Sequence, residues 1–114
     1  MYKVMLFVKR KPGLTREQFR DRYESGHAPL AIQQLPHLRR YARNFILPVQ
    51  GWEEPEFDCV TEFWFDDENG WKETSKAYAF GAAGKILAAD EEEFMDRTTM
   101  RMVIADEHVS TINR

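Results

Sequence analysis

TREQFRDRYESGHAPLAIQQLP, residues 15–36, carries the strongest helix signals in the chain, and its position between strand-like segments decides the fold. Thr15 followed by Gln18 is a capping box, in which each side chain satisfies a backbone donor that the first helical turn leaves unpaired. Phe19 and Tyr23 are one helical turn apart and share a face, while Arg16, Glu17, Arg20, Asp21, Arg22 and Glu24 cover the rest, so the apolar stripe is narrow. Gly26 can take positive φ at a helix C-cap and Pro29 pushes Ala28 out of helical space, so the helix is expected to end near Ser25. Pro29 then restarts a short helical piece through Leu30, Ala31, Ile32 and Leu35, which Pro36 stops. His27 is thus expected at a fixed break between two helical pieces. A histidine held this way suits acid–base chemistry; the plainer alternative is a cap that bonds a last-turn carbonyl.

The flanking segments read as strands. Tyr2 to Lys9 sets Val4, Leu6 and Val8 on one parity and Met5, Phe7 and Lys9 on the other, so both faces are expected to be covered. Lys11, Pro12 and Gly13 turn the chain into the helix. Leu38 to Leu47 is predicted as a second strand, placed near an edge by Arg39, Arg40 and Arg43. Pro48 to Pro55 is a loop, and Asp58 to Phe65, DCVTEFWF, is the most strand-like stretch and the expected central strand. Asp66 to Gly70 mark a turn and an acidic helix start, after which Trp71, Ser75, Tyr78 and Ala82 follow helical spacing. Gly81 and Gly84 predict a break in that helix. The acidic tract Asp90 to Glu93 reads as a solvated helix start, Glu91 to Asp96 as a short turn with Phe94 and Met95 facing inward, and Thr98 to Asp106 as the last strand.

The resulting order, βαββαβ, is the α+β ferredoxin-like arrangement of a four-stranded antiparallel sheet with helices on one face. The other face then needs cover, because Met5, Phe7, Tyr41 and members of Phe63 to Phe65 would expose more apolar surface than a monomer usually shows. A second copy is the natural lid, so a homodimer is expected.

The 114 residues suffice for one domain and its core. Sixteen Lys and Arg against nineteen Asp and Glu give a net charge of −3, which leaves no basic footprint for nucleic acid or an anionic membrane. The single cysteine, Cys59, permits no intrachain disulfide and fits a reducing, cytoplasmic compartment. The opening run YKVMLFVKRK is too short and too soon charged for a signal peptide or membrane span. His37 and His108 have no partner at ligand spacing, so no metal is expected, and no residue pattern implies another cofactor. Glu62, the odd member of an apolar strand, must find a partner or hold its proton. Pairing with Arg40, Arg43 or Arg101 is the structural reading, and orienting His27 or acting as a base is the functional one. Phe80, with Tyr78 and Trp71, is either core or a substrate wall.

KRKPGLTREQF (9–19), HAPL (27–30), LPHLRRYARN (35–44), DCVTEFWFDD (58–67) and EEEFMDRT (91–98), in this order and spacing, resemble the EthD family of the dimeric α+β barrel superfamily over nearly the whole chain. The resemblance implies a ferredoxin-like protomer packed on its two-fold mate, with a small-molecule pocket between sheet and helices. It implies His27 for the histidine of the H-x-P motif and Tyr41 for the aromatic of the L-x-x-Y strand, the pair that the similar methylmuconolactone isomerases set around a lactone. Phe7, Glu62, Trp64 and Phe80 are the expected substrate-contacting residues. Where those isomerases carry a reactive cysteine this chain has Phe63, and Cys59 lies four residues earlier, so a thiol-dependent reaction is not implied. The expectation is a cofactor-free isomerase, cyclase or dehydratase acting by proton transfer on a small apolar or aromatic oxygenated compound. The alternative is a non-catalytic accessory or ligand-binding protein for a neighbouring oxygenase system.

Overall fold

The computed structural model describes Met1 to Arg114. Strand β1 (Tyr2–Arg10) leads through helices α1 (Arg16–Arg22) and α2 (Ala28–Gln34) to β2 (Arg40–Phe45) and β3 (Cys59–Phe65); α3 (Glu68–Phe80), α4 (Ala82–Glu91) and β4 (Met95–Ala105) complete the chain. The strands form one antiparallel sheet in the order β2-β3-β1-β4. This is the expected α+β ferredoxin-like order, with each of its two helical segments divided. No helix is long and apolar enough to cross a membrane.

Strand alternation sorts the sheet residues onto two faces. Val4 pairs with Phe63 and Ile104, and Leu6 with Thr61 and Met102, so these residues share the helix-covered face with Val8, Cys59 and Phe65. Tyr41, opposite Phe63, faces the helices too, rather than belonging to an uncovered apolar face. Lys3, Met5 and Phe7 pair with Trp64, Glu62 and Val60 on the opposite face. That face is more polar than the sequence suggested: Lys3 bonds both Glu62 and Glu107, and Phe7 packs on Phe57 of the long loop at 5.5 Å.

The helix was expected to stop near Ser25, and it does not. A π-helical turn, Tyr23–His27, joins α1 to α2, with the Ala28 amide donating to the Tyr23 carbonyl. The wider turn accommodates Pro29 in the first turn of α2 while Ala28 stays helical at φ −59° and ψ −47°. Positive φ occurs at Gly13 and Gly51 but not at Gly26. Gly26 instead leaves room for a side chain: a Cβ there would run into the Arg22 guanidinium, which folds back over it. Thr15 and Gln18 form the expected capping box.

Phe19 and Tyr23 drive α1 onto the sheet, where they are buried with Val8, Cys59, Phe94 and Met95. Phe19 meets Phe45 and Phe94 at centroid distances of 6.1 and 5.7 Å, contacts that favour tilted and edge-on geometries. The second helical segment breaks at Gly81, as expected. Gly84 then lets α4 pass directly against the Tyr78 carbonyl, a space no Cβ could share. Boundaries also differ from the sequence reading: β2 is shorter at both ends than Leu38 to Leu47. Asp90 and Glu91 end α4 rather than starting a helix, and β4 begins at Met95, because its pairing resumes at Lys9 and Arg10 beyond an irregularity in β1.

Candidate functional site

The helices and the sheet do not close completely on each other. Between them lies a cavity of about 130 Å³, and twelve of its sixteen lining residues are hydrophobic, so its few polar groups decide its chemistry. Phe63 and Met100 form part of its sheet wall, and Trp71 and Leu87 part of its helix wall. Tyr23, His27, Thr74, Ser75, Tyr78 and Glu91 bring the oxygen and nitrogen atoms.

His27, only 4% exposed, closes the π turn with its ring packed against Tyr23 and Phe94. Its Nδ1 lies 2.8 Å from Asp90 Oδ2. Arg22 grips both Asp90 oxygens and keeps them anionic, so Nδ1 must carry the proton and donate it. Burial opposes the Asp90 charge, yet the bonds from Arg22 and His27 outweigh it and hold the carboxyl below its usual range. This carboxylate–imidazole pairing fixes the ring orientation and turns Nε2 toward Glu91, another residue of the cavity wall.

Facing Nε2 at 3.7 Å is Glu91 Oε2, too far for a hydrogen bond. The other Glu91 oxygen accepts from the Tyr78 hydroxyl at 2.8 Å and from Arg97 Nε at 3.2 Å. Burial, and then the Glu91 charge, push the Tyr78 phenol above its usual range, so it stays a donor. No Lys or Arg lines the cavity. No group of three His, Cys, Asp or Glu side chains is arranged to hold a metal ion.

Of the residues expected around one pocket, the structure places His27 on the cavity wall and the others elsewhere. Tyr41 is one layer back, stacked on Phe63 at 5.2 Å with its hydroxyl buried and unbonded; burial pushes that phenol up to about 12. Phe7, Glu62 and Trp64 lie on the opposite sheet face, because strand parity turns them away from the helices. Glu62 pairs with Lys3 and Asn44 rather than with an arginine, and Trp64 sits between Lys3 and Arg40 at 4.8 and 4.7 Å from its ring. Phe80, at the end of α3, is 86% exposed and does not line the cavity. Cys59 is fully buried and its thiol is pushed up to about 12 by desolvation, which makes it inert.

Asp90, Glu91 and Arg97 were missed as site residues, whereas Tyr78 and Trp71, weighed as core or substrate wall, do line the cavity. One signal was available: carboxylates at a helix C-terminus oppose the helix dipole and need a reason to be there. Placing the tract at a helix start concealed it.

A family model described as the EthD domain matches residues 11–98. The chain belongs to the EthD family. The matched span contains His27, Asp90 and Glu91 of this EthD protein. Among solved structures it is similar to an EthD family protein from Bacillus halodurans C-125, with a TM-score of 0.69 and 21% identity over 95% of this chain and 100% of that one. A protein from Arabidopsis thaliana matches with a TM-score of 0.68 at 10% identity, covering 98% of this chain and all of that one. A protein from Bacteroides fragilis described as dimeric and ferredoxin-like matches with a TM-score of 0.60 at 12% identity, covering 93% and 95% of the two chains. At these identities the likeness is one of fold. No curated protein matches the sequence.

Proposed function

We propose that this EthD protein binds a small, largely apolar, oxygenated molecule in the cavity and moves a proton on it with His27. The reaction class is isomerisation, cyclisation or dehydration, run by side chains without a cofactor. The observation that carries this reading is the Asp90–His27 pair, whose Nδ1 is anchored at 2.8 Å while Nε2 opens onto an apolar cavity. In the step envisaged, Nε2 takes a proton from a carbon beside a carbonyl, the bonding electrons move into the enolate, and the imidazolium returns the proton elsewhere on the same molecule. Asp90 keeps Nδ1–H and steadies the ring while it is charged. Tyr41 backs the Phe63 wall rather than touching the ligand.

A homodimer in the cytoplasm is the setting we favour. Its support is the dimeric description of related structures and the exposed Met102, Val103 and Ile104 at the end of β4. The function is tested by proton exchange. 2-Tetralone, an enolisable aryl ketone, is incubated with protein in deuterated buffer and its α-proton signal followed by NMR. The wild type should accelerate the loss, and His27→Ala should slow it by roughly a hundredfold or more. Exchange as fast in the variant would refute the role of His27. A wild type that binds the ketone without exchanging it would be a carrier, as an accessory protein for an oxygenase would be.

A further inference from the structure

His27 Nε2 and Glu91 Oε2 confront each other across 3.7 Å, and neither makes a hydrogen bond within the chain. Both side chains are deeply buried, with His27 4% and Glu91 5% exposed, and both line the cavity. When Nε2 is unprotonated these atoms are two adjacent acceptors with no donor between them, an arrangement that costs free energy until something supplies one. When Nε2 is protonated, the ring still lies between two carboxylates, Asp90 and Glu91, and the trio remains net negative. Arg22 is paired with Asp90, and Arg97 is spread over Glu91, Glu92 and the Tyr78 hydroxyl, so these cations balance the carboxylates already present and neither is free to receive a further anion.

We propose that Glu91 sets the ligand class of this cavity: it admits neutral molecules, binding best those that present an O–H donor, such as phenols, enols and alcohols, and it rejects carboxylates. The inference rests on the cavity being a small-molecule site, as argued above. A ligand hydroxyl lodged between Nε2 and Oε2 gives its proton to one of the two acceptors, while its apolar body meets Phe63, Trp71 and Met100. A ligand carboxylate brings only acceptors into a site that already has too many, and its charge into a desolvated space with no unengaged cation to receive it. Glu91 is therefore a specificity-determining residue, held in its rotamer by Tyr78 and Arg97.

The test compares ligands of one shape. Titration calorimetry at neutral pH with 2-naphthol and with 2-naphthoate should show the naphthol binding at least about tenfold more tightly, a difference of about 1.4 kcal/mol. Glu91→Gln should shrink that preference to within about twofold by letting the carboxylate in, whereas Tyr78→Phe, which keeps the charge, should preserve it. The wild-type comparison stands even if Glu91→Gln fails to fold. Naphthoate binding as tightly as naphthol, or a preference untouched in a folded Glu91→Gln protein, would overturn the role of Glu91 and leave the cavity a ligand site. Binding of neither compound would overturn the ligand site itself, and the specificity claim with it.

Discussion

His27 Nδ1 sits 2.8 Å from Asp90 Oδ2, joining the π turn after α1 to the C-terminal end of α4 across 63 positions of sequence. Arg22 holds the same carboxylate from one turn earlier on the first helix, so a single aspartate ties the two helical segments together at the rim of the cavity.

The depressed Asp90 titration links this tie to pH. A carboxyl that ionises more readily folded than unfolded contributes its stability above its unfolded value, about 3.9, and loses it as pH falls through the lower folded one. Melting temperatures of wild type and Asp90→Asn should therefore differ near neutrality and converge in stronger acid. A gap of constant size down to the acid limit would mean that the charge contributes nothing.

Gly26 tests the Arg22 arrangement. Replacing a helical glycine by alanine normally stabilises by about 1 kcal/mol, but here the Cβ meets the guanidinium engaged with Asp90. Gly26→Ala should give that gain only after Arg22→Ala has cleared the space. Denaturant titrations of the two single variants and the double variant measure it, and equal gains in both backgrounds would contradict the packing described.

At Gly84 no flexible group can give way, because the obstacle is the Tyr78 backbone carbonyl. Gly84→Ala should cost about 1–3 kcal/mol in urea unfolding, the range for overpacking. It should also weaken naphthol binding, since α3 carries Trp71, Thr74 and Tyr78 of the cavity wall. An unchanged midpoint would show that α3 and α4 are looser than drawn.

The order of elements along the chain, the edge and central places of β2 and β3, and the helical division at Gly81 were legible in the sequence, because strand parity, turn residues and caps are local signals. The capping box at Thr15 was legible for the same reason. The continuation of the helix past Gly26 was not: its cause is the fit of Arg22 over Gly26 toward Asp90, a contact between segments remote in sequence. Parity grouped Phe7 with Met5 and away from Leu6, but it could not tell which face Glu62 and Trp64 take, so neither could be assigned to or excluded from the space between sheet and helices. His27 was found because histidine is rare here and chemically distinctive. Its partners were hidden in a tract of acids that looks like ordinary solvated surface.

The exposed apolar residues at the end of β4 predict association. Sedimentation at micromolar concentration should give one species of about twice the 13.5 kDa of a single chain. Val103→Lys with Ile104→Lys should reduce it to a monomer. A wild type that sediments as a monomer would contradict the dimer.

The account depends most on His27 Nε2 being the atom that meets the ligand. Heteronuclear NMR on protein labelled at histidine nitrogens resolves the two ring positions and reads this directly. Adding 2-naphthol should shift the Nε2 resonance of His27 while Nδ1 stays protonated and bonded to Asp90. Saturating naphthol that leaves the Nε2 resonance unmoved would contradict the claim that this imidazole works on the contents of the cavity.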